Sequence, residues 1–150
     1  MSFGTQQSWV YRAVREAPGL ARQAVSRYAR DCGADDDLVA ALALCVSEAV
    51  TNSVLHAYRC APQPGGVSVR AECREDELRV LVRDDGTGLT PNIDSPGVGL
   101  GLPIIAQMAH RSEIRAPERG GTEVCMRFNL ARRAERRKKA AALHRAKVIV

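Results

Sequence analysis

Lysine is absent from most of this 150-residue sequence, because Lys138, Lys139 and Lys147 all lie within the last 20 residues. Any phosphate binding in the rest of the chain must therefore rely on arginine, backbone amides or a metal ion. The motif G-x-x-x-x-G-K-[ST] is also missing from the sequence. A P-loop nucleotide site is therefore excluded.

The sequence also lacks long apolar runs and closely spaced cysteines. No stretch approaches the roughly 18–20 uninterrupted apolar residues of a membrane span. The N-terminal MSFGTQQSW has no basic segment followed by an apolar one, as a secretory signal would. The five cysteines show no C-x-x-C spacing and no histidine at zinc-ligand spacing. These absences predict a cytoplasmic protein with reduced thiols, and they disfavour a disulfide scaffold or a zinc site.

The positive net charge of +5 is concentrated at the C-terminus. Residues 131–150 contain eight Lys or Arg and one Glu, whereas the other 130 residues contain 14 Lys or Arg and 16 Asp or Glu. By charge, the body of the chain is not a nucleic-acid-binding surface. We expect one domain over 1–130 and a basic tail, helical or disordered, over 131–150. Nucleic-acid binding by the tail is the least favoured function, and tail deletion would test it through a salt-sensitive interaction.

Apolar periodicity predicts helices first and strands afterwards. Leu20, Ala24 and Tyr28 are spaced for one face of a helix that begins near Pro18 and ends near Gly33. Three aspartates at 35–37 predict the start of a second helix, which should run to about His56. The other predicted elements are strands at 8–14, 67–73, 77–84, 112–116 and 122–130, a loop at 86–99 and a helix at 100–109. This order predicts an α+β two-layer sandwich with a mainly antiparallel sheet and helices on one face.

Polar residues recur along one face of the second predicted helix. In SEAVTNSVLHAY, Glu48, Asn52 and His56 lie at positions i, i+4 and i+8. A solvent-facing polar stripe would explain this pattern without any function. In the functional alternative, Asn52 gives one oxygen to Mg²⁺ and Glu48 acts as a base near a γ-phosphate.

Three glycine-containing motifs follow this helix. In VRDDGTGL, Asp84 ends a strand and could accept a hydrogen bond from adenine, although a turn acid is the simpler interpretation. GVGLGL at 97–102 leads into a helix, and its unobstructed amides could bind an anion. In RGGTEVCM, Thr122 could add a hydroxyl near the adenine, or the motif could be only a turn. Each motif taken singly is weak evidence for a site.

Their order and spacing together resemble the GHKL superfamily of gyrase, histidine-kinase and related ATP sites. The chain runs from E-x-x-x-N through D-x-G-x-G and G-x-G-x-G-L to G-G-T, between about Leu44 and Val124. The chain length and the string VSEAVTNSVLHAY are similar to the RsbW-like bacterial anti-sigma factor serine-protein kinases. A dimerisation helix pair with a phospho-accepting histidine, as in histidine kinases, is missing from the sequence. The resemblance implies the Bergerat fold, with a mainly antiparallel mixed sheet and helices on one face.

The resemblance also implies roles for individual residues. Glu48 would be the catalytic base, Asn52 the Mg²⁺ ligand and Asp84 the adenine-binding acid, with ATP and Mg²⁺ as cofactors. The implied pocket and phosphate lid include Gly86, Gly88, Gly97, Val98, Gly99, Leu100, Gly101 and Thr122.

The function implied by the resemblance is regulatory. An ATP-dependent anti-sigma factor would phosphorylate a Ser or Thr of a STAS-type anti-anti-sigma protein and control a sigma factor by partner switching. The expected state is a homodimer without membrane or direct nucleic-acid contacts. The alternative is a non-catalytic, ATP-gated protein-binding module.

Overall fold

The computed structural model describes residues 4–58, 63–86, 101–130, 138–139 and 141–146. Five strands form one sheet in the order β1-β2-β3-β5-β4. The four neighbouring pairs among these described strands are all antiparallel. The expected α+β fold with a mainly antiparallel sheet is therefore confirmed. The elements are β1 Thr5–Arg12, α1 Ala17–Asp31, α2 Asp36–Asn52, β2 Gly66–Arg74, β3 Glu77–Asp84, α3 Gly101–Met108, β4 Arg111–Arg115 and β5 Thr122–Asn129.

The central hairpin of β2 and β3 has one buried face and one more polar face. Alternate residues of the two strands are buried because successive side chains of a strand point to opposite sides of the sheet. The helices cover the buried face, whereas Arg70 on the opposite face is exposed. The buried residues of the hairpin are Val67, Val69, Ala71, Leu78, Val80 and Val82.

The buried face of α1 differs from the predicted one. Of the residues predicted to share one face, Tyr28 is buried, whereas Leu20 is 52% exposed. Ala17, Ala21 and Val25 are buried together with Tyr28. Because α1 packs directly against α2, small alanine side chains on this face allow the two backbones to approach closely, and the larger Leu20 remains outside the contact.

The second helix begins where the aspartates predict. Asp35 is the N-cap, and its Oδ1 accepts a hydrogen bond from the amide of Leu38 at 2.8 Å. In the described part of the chain, Asp36–Ala57 is the one helical stretch long and apolar enough to span a membrane, with a mean hydropathy of 1.8 over its most apolar window. Leu42, Val46 and Val50 from this stretch are completely buried in the core. The apolar composition is therefore explained by packing against α1 and the sheet.

Strand β1 begins earlier than predicted and ends earlier as well. Its pairing with β2 runs from Thr5 opposite Cys73 to Arg12 opposite Gly66. The polar residues at 5–7 lack a strand-like pattern, and they are extended because β2 offers them backbone hydrogen bonds. In the C-terminal region, residues 138–139 and 141–146 are helical and exposed.

Candidate functional site

Helix α2 does not end in a regular turn but widens into a π-helical turn over Ser53–Ala57. Such turns are rare and occur often at functional sites. The turn buries Ser53, whose Oγ donates a hydrogen bond to Asp84 Oδ2 at 2.8 Å. The end of α2 is thereby joined to the end of β3.

Asp84 is the last residue of β3, and only 4% of its surface is exposed. Its Oδ1 accepts hydrogen bonds from the amides of Gly86 at 3.1 Å and Thr122 at 3.2 Å. With the bond from Ser53, three donors point at this carboxylate. Because two carboxylate oxygens offer about four acceptor positions, room remains for one further donor.

A pocket opens beside Asp84, between the helices and the sheet. Its walls are mainly apolar and carry a few polar groups, a combination that is typical of small-molecule sites. The lining residues are Ala49, Asn52, Ser53, His56, Ala57, Val82, Asp84, Thr122 and Val124.

Two glycines allow the chain to pass close to this pocket. A Cβ on Gly86 would lie 2.4 Å from the Cβ of Ala57. A Cβ on Gly121 would lie 1.9 Å from the carbonyl oxygen of Asp84, and Gly121 has a φ of +82°. Any side chain at Gly121 would separate β5 from β3 where the Thr122 amide reaches Asp84.

Tyr58 directly follows the π-helical turn and makes hydrogen bonds to two other segments of the chain. Its hydroxyl donates to the carbonyl oxygen of Gly66 at 2.6 Å and accepts from the amide of Asp85 at 3.0 Å. Burial raises the pKa of Tyr58, so the hydroxyl keeps its proton at neutral pH and remains a donor. Tyr58 thus connects the start of β2 to the residue that follows β3.

Glu48 and Asn52 lie side by side at the first residue of α3. A Cβ on Gly101 would lie 2.9 Å from Glu48 Oε2 and 3.3 Å from Asn52 Nδ2. The Asn52 Nδ2 atom is buried without a hydrogen-bond partner. Nearby, burial chiefly and then the charge of Glu48 raise the pKa of Cys45 to about 11. The positive end of the α3 dipole lies at the same point, where it favours negative charge.

The residues present fit a magnesium ion held with few protein ligands. A Cβ on Gly101 would lie 3.4 Å from Asn52 Oδ1 and 2.9 Å from Glu48 Oε2, so two oxygen atoms face the same point. Such oxygens suit Mg²⁺, which takes one or two protein oxygens and completes its shell with phosphates and water. Within the described ranges, no cluster of three His, Cys, Asp or Glu side chains could hold a metal.

Several predicted site residues are brought together by the fold. Glu48, Asn52 and Gly101 form one cluster, while Asn52 also lines the pocket of Asp84 and Thr122. The roles of Ser53 and Tyr58 were missed, since a serine or tyrosine near a helix end carries no distinctive sequence signal. The predicted residues Gly88, Gly97, Val98, Gly99 and Leu100, and with them the expected phosphate lid, lie outside the described residues.

Residues 12–128 match the model of the histidine kinase-like ATPase domain. The chain therefore belongs to this family, as the sequence motifs predicted, and a domain of this family binds ATP. Among its relatives is a protein named anti-sigma F factor from Oceanobacillus iheyensis. It is 30% identical over 141 residues, which cover 85% of this chain and 94% of the relative.

A second relative and a solved structure are also similar to this chain. An anti-sigma F factor from Clostridium novyi is 24% identical, over 85% of this chain and 96% of that protein. The solved structure of the RsbU and RsbW domains of a Mycobacterium tuberculosis protein has a TM-score of 0.66 at 20% identity. It covers 84% of this chain, which spans about a third (32%) of that longer one.

Proposed function

We propose that this protein is an ATP-dependent anti-sigma factor that phosphorylates a serine or threonine of a STAS-type anti-anti-sigma antagonist. This phosphorylation would set the availability of a sigma factor by partner switching. The observation that carries the proposal is the position of Asn52, which lines the Asp84 pocket and also lies beside Glu48. One side chain thus links the part of the site that would bind adenine to the part that carries the Glu48 carboxylate. Relatives named anti-sigma F factor, matched over nearly their whole length, support the regulatory role.

In the adenine-binding part of the site, Asp84 would accept a hydrogen bond from the adenine amino group. Ser53, Gly86 and Thr122 all donate to this carboxylate, so it is held in one orientation as an acceptor. Val82 and Val124 line the same pocket and would keep water away from the base. A buried hydrogen bond to a charged acceptor contributes about 1.5–3 kcal/mol.

In the part of the site that carries the Glu48 carboxylate, Asn52 would hold Mg²⁺, the cofactor that is implied with ATP. When bound, the ion would neutralise charge on the phosphates. Asn52 is neutral, so it would hold the cation without adding a negative charge next to the phosphates. The observation that supports this role is the position of Asn52 Oδ1, which faces the start of α3 together with Glu48 Oε2.

Glu48 would act as the general base. A serine hydroxyl is a poor nucleophile until its proton is removed. Glu48 would take this proton while the hydroxyl oxygen bonds to the γ-phosphorus and the bond to the β–γ bridging oxygen breaks, with ADP as the leaving group. The carboxylate lies at the N-terminus of α3, on the neighbouring turn to Asn52. A positioned base of this kind typically contributes about 10²–10⁴-fold to the rate.

The test is transfer of radiolabelled phosphate to the cognate antagonist, measured beside a nucleotide-binding titration. Glu48→Ala should keep ATP affinity and sigma-factor binding and lose about 10²–10⁴-fold in phosphotransfer. Asn52→Ala should weaken magnesium-dependent nucleotide binding as well. Glu113→Ala is the matched control, because Glu113 is an exposed carboxylate on β4 that is ion-paired with Arg115.

Two outcomes would change the proposal. Full phosphotransfer by Glu48→Ala would remove Glu48 from the mechanism. If the unmodified protein transfers no phosphate to any antagonist that it binds, the ATP-gated binding module is the better description. A pull-down from the native cytoplasm, followed by mass spectrometry, would supply the antagonist and the sigma factor for these assays.

We further propose that residues 1–130 form the ATP-binding domain and that 131–150 are an appended basic tail. The family match ends at residue 128 and β5 ends at Asn129, which supports this boundary. The proposed setting is the cytoplasm, with a homodimeric protein that contacts neither membranes nor nucleic acid directly. Sedimentation with and without nucleotide would test the dimer.

A further inference from the structure

Two thiols meet between the end of α1 and the sheet. Cys32 is the C-cap of α1, and Cys73 lies on β2 directly opposite Thr5 of β1. Cys32 Sγ is 3.9 Å from Thr5 Oγ1, and Thr5 pairs directly with Cys73, so the side chains of Thr5 and Cys73 share the face of the sheet that the end of α1 approaches. The two sulfurs are therefore neighbours, although 41 positions separate them in the sequence.

The aromatic residues of α1 and β1 hold this pair in position. Tyr28 precedes Cys32 by one helical turn and lies on the same face of α1. Its ring packs edge-on against Trp9, with centroids 6.2 Å apart, and its hydroxyl donates to the backbone oxygen of Thr5. Because Tyr28 ties the last turn of α1 to β1, Cys32 is held beside the pair of Thr5 and Cys73.

The pair differs from the other described cysteines in exposure. Cys32 and Cys73 are partly exposed free thiols, whereas Cys45 and Cys125 are buried. Small oxidants can reach the pair, and it lies outside the residues that line the nucleotide pocket. Reactivity of cysteine follows access and thiolate character.

We propose that Cys32 and Cys73 form a redox modification site, at which hydrogen peroxide converts the two thiols into a disulfide that links α1 to β2. In the first step the Cys32 sulfur attacks a peroxide oxygen, the O–O bond breaks, and a sulfenic acid and one water form. In the second step the Cys73 sulfur attacks the sulfenic sulfur, the S–S bond forms, the S–O bond breaks, and the hydroxide leaves as a second water with the proton of the Cys73 thiol. The two thiols lose two electrons, and the peroxide is reduced to two waters.

The order of attack follows from the surroundings of Cys73. Burial, together with its contact with Cys32, raises the pKa of Cys73 to about 11, so this thiol keeps its proton at neutral pH. Cys32 is therefore the first nucleophile and Cys73 the resolving thiol. The cytoplasmic thiol pool would reverse the link, because thiol–disulfide exchange breaks accessible disulfides.

The test treats the reduced full-length protein with hydrogen peroxide, alkylates the remaining thiols and digests with trypsin and Asp-N. Asp-N cleavage before Asp35 separates Cys32 from Cys45, so the expected product joins fragment 31–34 to fragment 71–74. Dithiothreitol should remove this product. The disulfide should raise the melting temperature by roughly 5–10 °C, because it restricts the unfolded chain.

Cysteine variants distinguish a disulfide between these two residues from oxidation of other cysteines. Cys32→Ser and Cys73→Ser should each abolish the rise in melting temperature, whereas Cys60→Ser should keep it. The proposal is overturned if both fragments are recovered separately, as alkylated or sulfinic species, or if either fragment is linked to a different cysteine. The fragment analysis needs no variant, so a substitution that impairs folding leaves the test intact.

Discussion

At the scale of single residues, Asp84 shows how a buried charge is made tolerable. Burying a carboxylate without hydrogen-bond partners to 4% exposure would strongly destabilise the fold, and the three donors to Asp84 offset this loss. The donors come from three separate places: Ser53 after α2, Gly86 after β3 and Thr122 at the start of β5. Asp84 can therefore act as a site for an incoming donor only when all three elements are in place.

Asp84→Asn should weaken adenine nucleotide binding by about 10–100-fold. An asparagine offers one oxygen to the amides of Gly86 and Thr122, and its NH₂ group would then meet the adenine amino group donor to donor. The lost bond to a charged acceptor corresponds to about 1.5–3 kcal/mol. Isothermal titration with Mg-ATP measures the change in affinity.

Ser53→Ala is the matched control for this prediction. It removes one donor to the same carboxylate and leaves the acceptor for adenine in place. Its effect on nucleotide affinity should therefore be smaller than that of Asp84→Asn. If the Asp84→Asn and unmodified proteins bind Mg-ATP with equal affinity, Asp84 does not bind the adenine.

At the scale of elements, the part of the site that carries the Glu48 carboxylate depends on how closely α3 approaches α2. The first residue of α3 is Gly101, and the space where a Cβ would lie is bounded by Glu48 and Asn52. Glu48 Oε2 ends a flexible side chain, so it can move away from an added methyl group. A side chain added at position 101 should therefore displace the Glu48 carboxylate more than it disturbs the fold.

Gly101→Ala should reduce phosphotransfer by about tenfold or more, with little change in the melting temperature. The added Cβ would lie 2.9 Å from Glu48 Oε2, closer than van der Waals contact allows, so the carboxylate must shift. If Glu48 is the proposed general base, its displacement removes part of the typical 10²–10⁴-fold contribution. Alanine is at least as good a helix former as glycine, so the fold should persist. Phosphotransfer rates and thermal melts of the same preparation measure both effects.

Gln107→Ala serves as the control on the same helix, because Gln107 is exposed and lies beyond the first turn of α3. This variant should transfer phosphate like the unmodified protein. Unchanged phosphotransfer by Gly101→Ala would mean that Glu48 is not held at the start of α3 during the reaction.

At the scale of the whole molecule, the site lies between the two layers. Asp84 and Thr122 belong to the sheet, whereas Glu48 and Asn52 belong to the helical layer. A ligand that contacts both layers binds the folded protein and not the unfolded chain. Ligand binding should therefore appear as added stability of the entire domain.

Mg-ATP at 100 times its dissociation constant should add about 2.7 kcal/mol to the free energy of unfolding. For a chain of this size, that corresponds to a rise of roughly 5–10 °C in melting temperature. ATP with a chelator should give a smaller rise than Mg-ATP, because Asn52 would then lack its ion. Magnesium alone and Asp84→Asn with Mg-ATP are the controls. An unchanged melting temperature together with no heat of binding would contradict nucleotide binding.

Much of the fold could be predicted from local patterns in the sequence. The alternation of Val67, Val69 and Ala71 indicates a strand with one buried face, and Asp35 marks the start of α2. Motif order indicated the family, and the helical spacing of Glu48 and Asn52 placed them on one face. These features depend on residues close together in the chain, where the periods of helix and strand set which side chains share a face.

The contacts that complete the site depend on the way distant segments pack. Ser53 and Asp84 are 31 positions apart and Thr122 is a further 38 away, so no local period relates them. The same holds for Leu20, whose exposure depends on which face of α1 meets α2. A sequence specifies which residues are polar, small or apolar along each element. The distances between elements follow from close packing of all the side chains at once, which is why Gly101 meets Glu48 and Gly121 meets Asp84 only in the folded molecule.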